Sequence, residues 1–336
     1  MLAAVFTKLG HPLAIERVAD PVPAAGQIVV KVSRCGICAS DLHMTEDPLF
    51  GLQPGTVLGH EYAGEVVALG EGVQHVRKAD PVAILPLKGC RQCVSCLAGE
   101  PAWCAQMRIE GGGYGEYALA HEAQCLPLPK SVTLEEGALV EPLAVGLHGV
   151  TVAQMRPGAR VLIVGAGPIG LATAFWARRL GATRVAVTAS STRRQSLAYE
   201  MGATAFIDPT DESADAVSRA LGGLPDIVFE CVGKPGLLAW SVNHVRPRGT
   251  VVILGLCTTL DSLLPFALVA KEIRVQCAAF YSMRDFEVAA DALAQDNSVP
   301  RAMITHTVGL EALPAAFEAL RQRSDQCKVL VSPAMS

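Results

Sequence analysis

A chain of 336 residues is longer than a single hydrophobic core comfortably fills, so its length points to two domains. Apolar residues make up 51% and charged residues only 18%, with a net charge of −4; this excludes a disordered binder and argues against a nucleic-acid or anionic-membrane partner. The composition is that of a well-buried globular enzyme.

Along the chain, the first residues, from Met1 to Lys8, lack the basic start, apolar core and cleavage site of a signal peptide. Short apolar or alternating runs at Ile28–Val32, Glu65–Leu69 and Pro81–Leu85, separated by Gly and Pro, predict a β-rich region to about Leu128, barrel-like or sandwich-like. One helix is expected over Glu135–Val152, bridging the domains. From about Arg160 the rhythm changes. Strands at Val161–Gly165, Arg184–Thr188, Asp226–Glu230 and Thr250–Gly255 alternate with helices at Ile169–Leu180 and Arg194–Met201, which predicts an α/β unit with a doubly wound parallel sheet. The most apolar stretch, Val161–Trp176, is broken by Gly165, Gly167, Pro168 and Gly170 and runs into Arg178 and Arg179, so no membrane span is expected. After Tyr281 the chain turns helical and closes with a strand at Lys328–Val331, expected to rejoin the first domain. The expected division is residues 1–148 with 283–336, against 149–282.

Eleven cysteines without an export signal are expected in a reducing, cytoplasmic setting, where clustered thiols bind metal more often than they pair. Cys90, Cys93, Cys96 and Cys104 let one short loop wrap a tetrahedral ion, as structural zinc requires; the alternative is a reduced, metal-free loop. Cys35-Gly36-Ile37-Cys38 is followed by Ser40, Asp41 and His43 and then by His60-Glu61, a mixed set of sulfur, nitrogen and oxygen donors suited to an open, catalytic zinc. Two zinc ions per chain are therefore expected.

Gly165-Ala166-Gly167-Pro168-Ile169-Gly170 follows a strand and opens a helix. There the first glycine makes the turn, the second admits a pyrophosphate to the backbone, and the third lets helix and sheet approach. At the end of the next strand an NAD site expects an acid on the ribose hydroxyls, but Ala189 stands there, followed by Ser190 and, shortly after, Arg193 and Arg194. Small hydroxyl residues and arginines suit a 2′-phosphate, so NADP is preferred over NAD. The alternative places both arginines on a solvated helix face.

Gly59-His60-Glu61-x2-Gly64-x5-Gly70-x2-Val73 resembles the signature of the zinc-containing alcohol dehydrogenases of the medium-chain dehydrogenase/reductase superfamily. The loop from Cys35 to His43, the four-cysteine lobe and the glycine-rich turn are similar too and come in the same order, so the resemblance spans the chain. It implies a GroES-like catalytic domain joined to a Rossmann domain. It makes Cys38 and His60 catalytic zinc ligands with Glu61 beside the metal, and Cys35 a packed non-ligand. Glu141 resembles the sorbitol-dehydrogenase-like branch: it either binds zinc, directly or through water, or is a helix N-terminal charge favoured by the dipole. By the same resemblance Ser40 passes the substrate proton through the cofactor ribose to His43; its hydroxyl could instead satisfy a turn. Asp41 is expected to orient His60. Arg91 and Ala102 replace a common glycine and asparagine, and Gln106–Gly113 is short for the family. A homodimer or homotetramer is expected through edge strands near Asp261–Phe266.

The resulting expectation is a zinc-dependent oxidoreductase moving a hydride between NADP(H) and a secondary alcohol, ketone or polyol. A non-catalytic zinc- and dinucleotide-binding redox sensor is the alternative, weakened by Ser40, His43 and Glu61 standing beside the ligands. The zinc-free quinone reductase branch lacks both cysteine sets.

Overall fold

The apolar runs of the sequence end in two different sheets. The computed structural model describes residues 1–211, 213, 215–322 and 325–335. Contacts divide the chain into one unit of Met1–Glu141, Ser282–Asn297 and Ile304–Ser336, and another of Pro142–Tyr281 and Ser298–Met303.

In the first unit a seven-stranded sheet runs in the order Ile304–Gly309, Lys328–Ser332, Gln27–Gly36, Glu61–Leu69, Pro81–Ile84, Cys125–Pro127, with Tyr117–His121 also pairing on Gln27–Gly36. Ile28, Val30, Val32, Val66, Val82, Ile84, Val329 and Val331 line its core, where alternate positions of each strand face inward. The ten-residue strand Gln27–Gly36 has Glu61–Leu69 on one side and Lys328–Ser332 on the other, both antiparallel. At its end Gly36 pairs with Glu61 across one ladder and with Leu330 across the other. The closing strand thus rejoins the first unit and brings Lys328 to the neighbourhood of Glu61.

The second unit holds a six-stranded, wholly parallel sheet in the order Ala205–Ile207, Arg184–Thr188, Arg160–Val164, Ile227–Glu230, Thr250–Ile253, Arg274–Cys277. Strand order reverses on either side of Arg160–Val164, the switch point at which doubly wound sheets bind ligands. Val161, Leu162 and Ile163 are fully buried, as expected for a parallel strand covered on both faces.

Three expectations need correction. The bridging helix is two helices, Leu134–Gly137 and Val140–Val152. Thr133 and Glu136 form a capping box that starts the first, and Pro142, tolerated only in a first turn, forces a new start just before it. The unit boundary falls at Glu141 rather than 148, because the second helix packs in the second unit: Trp176 donates its indole N–H to the Leu143 carbonyl at 2.8 Å. The short helix Ser298–Arg301 also belongs there, against Pro168–Arg179. Finally, Asp261–Phe266 is no edge strand: Pro265 opens a helix, Pro265–Lys271, and the sheet ends at Arg274–Cys277. Among the described residues no helix is long and apolar enough to cross a membrane.

Candidate functional site

Cys38 ends the turn out of the long strand and stands before the first residue of the helix Ala39–Met44. His60 immediately precedes the strand Glu61–Leu69. Strand pairing brings the two segments together, so that one donor atom each of Cys38, His60 and Glu61 lies within 4.8 Å of the others. Ser40, two residues on from Cys38, donates its hydroxyl to the Cys38 sulfur at 3.1 Å. His43 lies one helical turn beyond Ser40 and is half-buried.

The same place is electrostatically prepared for a cation. His60 Nδ1 lies 3.1 Å from Asp41 Oδ1, which as acceptor fixes the ring's tautomer and leaves Nε2 as the atom that could bind a metal. Burial opposes a charged ring, but Asp41 and then Cys38 outweigh it and hold His60 well above its usual pKa. A metal ion at Nε2 would take the place of the favoured proton. Cys35 is different: burial first, then the charges of Asp41 and Glu61, push its thiol far up, so it remains a packed thiol. Glu141 is buried in the first turn of Val140–Val152 and falls outside the three-residue donor group, although its charge acts on Lys328.

Two partners escaped sequence reasoning. Lys328 donates to both carboxylate oxygens of Glu61, at 2.7 and 2.6 Å, and to the Ile37 carbonyl at 3.2 Å, with both side chains almost wholly buried. Burial works against the ammonium, yet Glu61, then Cys38, more than offset it and raise its pKa. The pair lies over Gly36, where a Cβ would come within 2.0 Å of a Glu61 oxygen; only glycine leaves this space. The sole trace in the sequence is one lysine opening an otherwise apolar strand. The second partner is Tyr114, whose hydroxyl donates to Asp41 Oδ2 at 2.6 Å. Burial, then the Asp41 charge, keeps its phenol protonated well above the usual range, so it stays the donor. Nothing in the sequence pairs two residues 73 apart.

The second cluster is local. One sulfur each of Cys90, Cys93, Cys96 and Cys104 lies within 4.8 Å of the rest. A tetrahedral ion with metal–sulfur bonds of about 2.3 Å needs sulfurs about 3.8 Å apart, so the set fits zinc. Backbone N–H groups of Gln92 and Cys93 pull the Cys90 thiol down to about 6, those of Cys90 and Gln106 lower Cys104, and burial pushes Cys96 up to about 12. Arg91, where the family commonly has glycine, adopts φ +65°.

In the second unit Gly165 turns at φ +108° after the strand Arg160–Val164, and Gly167 precedes Pro168, which opens the twelve-residue helix Pro168–Arg179 containing Ile169. A Cβ on Gly170 would strike the Gly165 carbonyl at 2.0 Å, whereas one on Gly167 would meet nothing within 4 Å. The turn is therefore closed where helix meets strand and open where a pyrophosphate would approach, and the helix N-terminus favours its charge. Ala189 follows the strand Arg184–Thr188 half-buried and Ser190 is exposed. Arg194 donates to the Ala166 carbonyl at 3.1 Å, which places its guanidinium beside the glycine turn.

Residues 24–130 match the alcohol dehydrogenase GroES-like domain family, and residues 168–295 the zinc-binding dehydrogenase family. Sorbitol dehydrogenase of Gallus gallus is 32% identical over 98% of this chain and 96% of its own length. A zinc-binding dehydrogenase of Sinorhizobium meliloti solved with NADP superposes with a TM-score of 0.89 at 32% identity, and an Escherichia coli alcohol dehydrogenase complexed with NADH with 0.90 at 26%; each pair covers 99% of both chains.

In the metal-free protein, removing Lys328 leaves Glu61 as an unpaired buried charge, which costs about 3–5 kcal/mol. Urea unfolding of Lys328→Met should show a loss of that size, with Glu61→Gln in the same chain restoring part of it. An unchanged midpoint would mean that the pair contributes no net stability. Cys96→Ser should bind less zinc than the parent, by metal analysis, and melt at a lower temperature; an unchanged zinc content would contradict the four-thiolate site.

Proposed function

This chain belongs to the zinc-dependent polyol and alcohol dehydrogenases of the medium-chain dehydrogenase/reductase superfamily, and from that premise we propose that it moves a hydride between NADP(H) and a polyol or secondary alcohol and its ketone. The observation that carries this reading is the convergence of Cys38, His60 and Glu61 with the Ser40 hydroxyl on the Cys38 sulfur. Bound there, zinc would supply the Lewis acidity that lets a hydroxyl ionise, and a nicotinamide dinucleotide would supply the hydride acceptor.

The chain's own residues do the rest. Cys38 and His60 hold the ion, Asp41 keeps the His60 ring turned toward it, and Glu61 serves as the third donor while Lys328 balances its charge. Glu141 is the further carboxylate that the reading assigns to the metal, directly or through water. Ser40 takes the proton of the reacting hydroxyl and hands it on to His43, one turn along the same helix. Cys90, Cys93, Cys96 and Cys104 hold a second, structural zinc. Gly165, Gly167, Pro168, Ile169 and Gly170 seat the pyrophosphate, and Ala189, Ser190 and Arg194 receive the adenosine ribose. The absence of an acid at Ala189, and Arg194 braced on Ala166, support a 2′-phosphate and hence NADP. The sorbitol dehydrogenase relative supports a polyol. We place self-association on the edge strand Arg274–Cys277 and the exposed Leu264, Phe266 and Val269 nearby in sequence, and the protein in the cytoplasm, where its eleven free cysteines stay reduced.

A screen of sugar alcohols, aliphatic alcohols and cyclic ketones with both cofactors tests the reading. Turnover should depend on Cys38, and Cys38→Ala should lose activity together with one zinc; full activity in that variant would end the proposal. The kcat/KM should favour NADP over NAD. Arg194→Ala should lower it for NADP by about tenfold or more, the worth of a charge-assisted hydrogen bond, and for NAD far less. An equal loss with both cofactors would show that Arg194 only braces the turn.

A further inference from the structure

Asp41 is fully buried and offers two oxygens. One faces His60 Nδ1 and the other accepts the Tyr114 hydroxyl, so three side chains from separate segments form a line, Tyr114–Asp41–His60, ending on the metal donor group. We propose that Tyr114 is a positioning residue of the metal site: its hydroxyl holds Asp41 in the orientation from which Asp41 fixes the His60 ring. The proposal rests on the zinc reading above and deepens it.

Tyr114 is itself held with little freedom. Its side chain is fully buried, its backbone carbonyl accepts from the Ala4 N–H at 2.8 Å, and its N–H donates to Leu58 at 3.1 Å. Its ring meets Phe317 edge-on, with centroids 6.3 Å apart. The ring also covers Gly59, the residue before the ligand His60, so closely that a Cβ there would lie 2.5 Å from it, and Gly59 has φ +84°. The ring therefore packs against the backbone that presents His60, while the hydroxyl reaches the carboxylate behind the same imidazole. A phenylalanine would serve the packing equally well. The hydroxyl has a separate task, to occupy an Asp41 oxygen that would otherwise be buried without a donor and free to turn away from His60.

The test uses the holoprotein with zinc in the four-cysteine lobe and cobalt exchanged into the Cys38–His60 site. Release of the cobalt to a chelator and its visible spectrum are compared for the parent, Tyr114→Phe, Asp41→Asn and the double variant. Tyr114→Phe keeps the ring and should release the ion about tenfold faster, with shifted cobalt bands, as loss of an outer partner of a ligand does. Because Tyr114 acts through Asp41, the double variant should release no faster than Asp41→Asn alone. Parent-like release and spectrum in Tyr114→Phe, or fully additive effects in the double variant, would overturn the proposal and leave Tyr114 a packing residue. Failure of the underlying reading is distinguishable: Cys38→Ala would then remove no metal from the parent, and the proposal would fall with it.

Discussion

Buried negative charge is the constraint around which the first unit is built. Asp41 and Glu61 are fully excluded from solvent beside Cys38, and a carboxylate so placed is tolerable only when its oxygens meet donors. The donors come from distant parts of the chain: His60 and Tyr114 for Asp41, and Lys328, 267 residues away, for Glu61. The closing strand is thus more than the last ladder of a sheet. By placing a cation over Gly36, it permits the Glu61 carboxylate to lie buried beside Cys38 and His60. Sheet and site are one construction, because the register that pairs Gly36 with Glu61 and Leu330 is also the register that joins the two charges.

The parts legible in the sequence were those whose chemistry is local. Four thiols on one loop, a glycine turn between strand and helix, and ligands within a few residues of each other reveal themselves through spacing, since a small ion or a pyrophosphate must be touched by neighbouring backbone. The α/β alternation was legible for a similar reason, as each strand and helix carries its own periodicity. Lys328 and Tyr114 were not, because their partners are chosen by strand register and by packing across the sheet. Element boundaries were lost to single residues: Pro142 divided the expected bridging helix, and Pro265 made a helix where an edge strand was expected. Arg91 shows the converse, since its φ of +65° supplies a reason for the glycine common at that point in the family.

The two cysteine clusters differ in what assembles them. The lobe's four sulfurs lie on one loop, and backbone amides already draw Cys90 and Cys104 toward the thiolate. Its geometry owes little to the sheet. The Cys38–His60–Glu61 group exists only once the strands have paired, with His60 and Glu61 buried. A structural ion can be held by a self-sufficient loop; a reactive one needs neighbours fixed by a larger frame, because small displacements of a catalytic group are costly.

That frame also sets how strong a Lewis acid the proposed ion would be. A divalent ion on one thiolate, one neutral imidazole and one carboxylate carries no formal charge. Lys328 bears on the carboxylate with both oxygens engaged, which would drain its donor strength and leave a bound ion more electron-poor. Asp41 acts in the opposite sense, since a carboxylate behind His60 makes the imidazole a stronger donor. Tyr114 moderates Asp41 by taking up its second oxygen. Electron demand at a bound metal would therefore be balanced between Lys328 on one donor and the Asp41–Tyr114 pair on another, none of them among Cys38, His60 and Glu61 themselves. Chains that keep the same three donors but change Lys328 or Tyr114 would present the same coordination and a different reactivity.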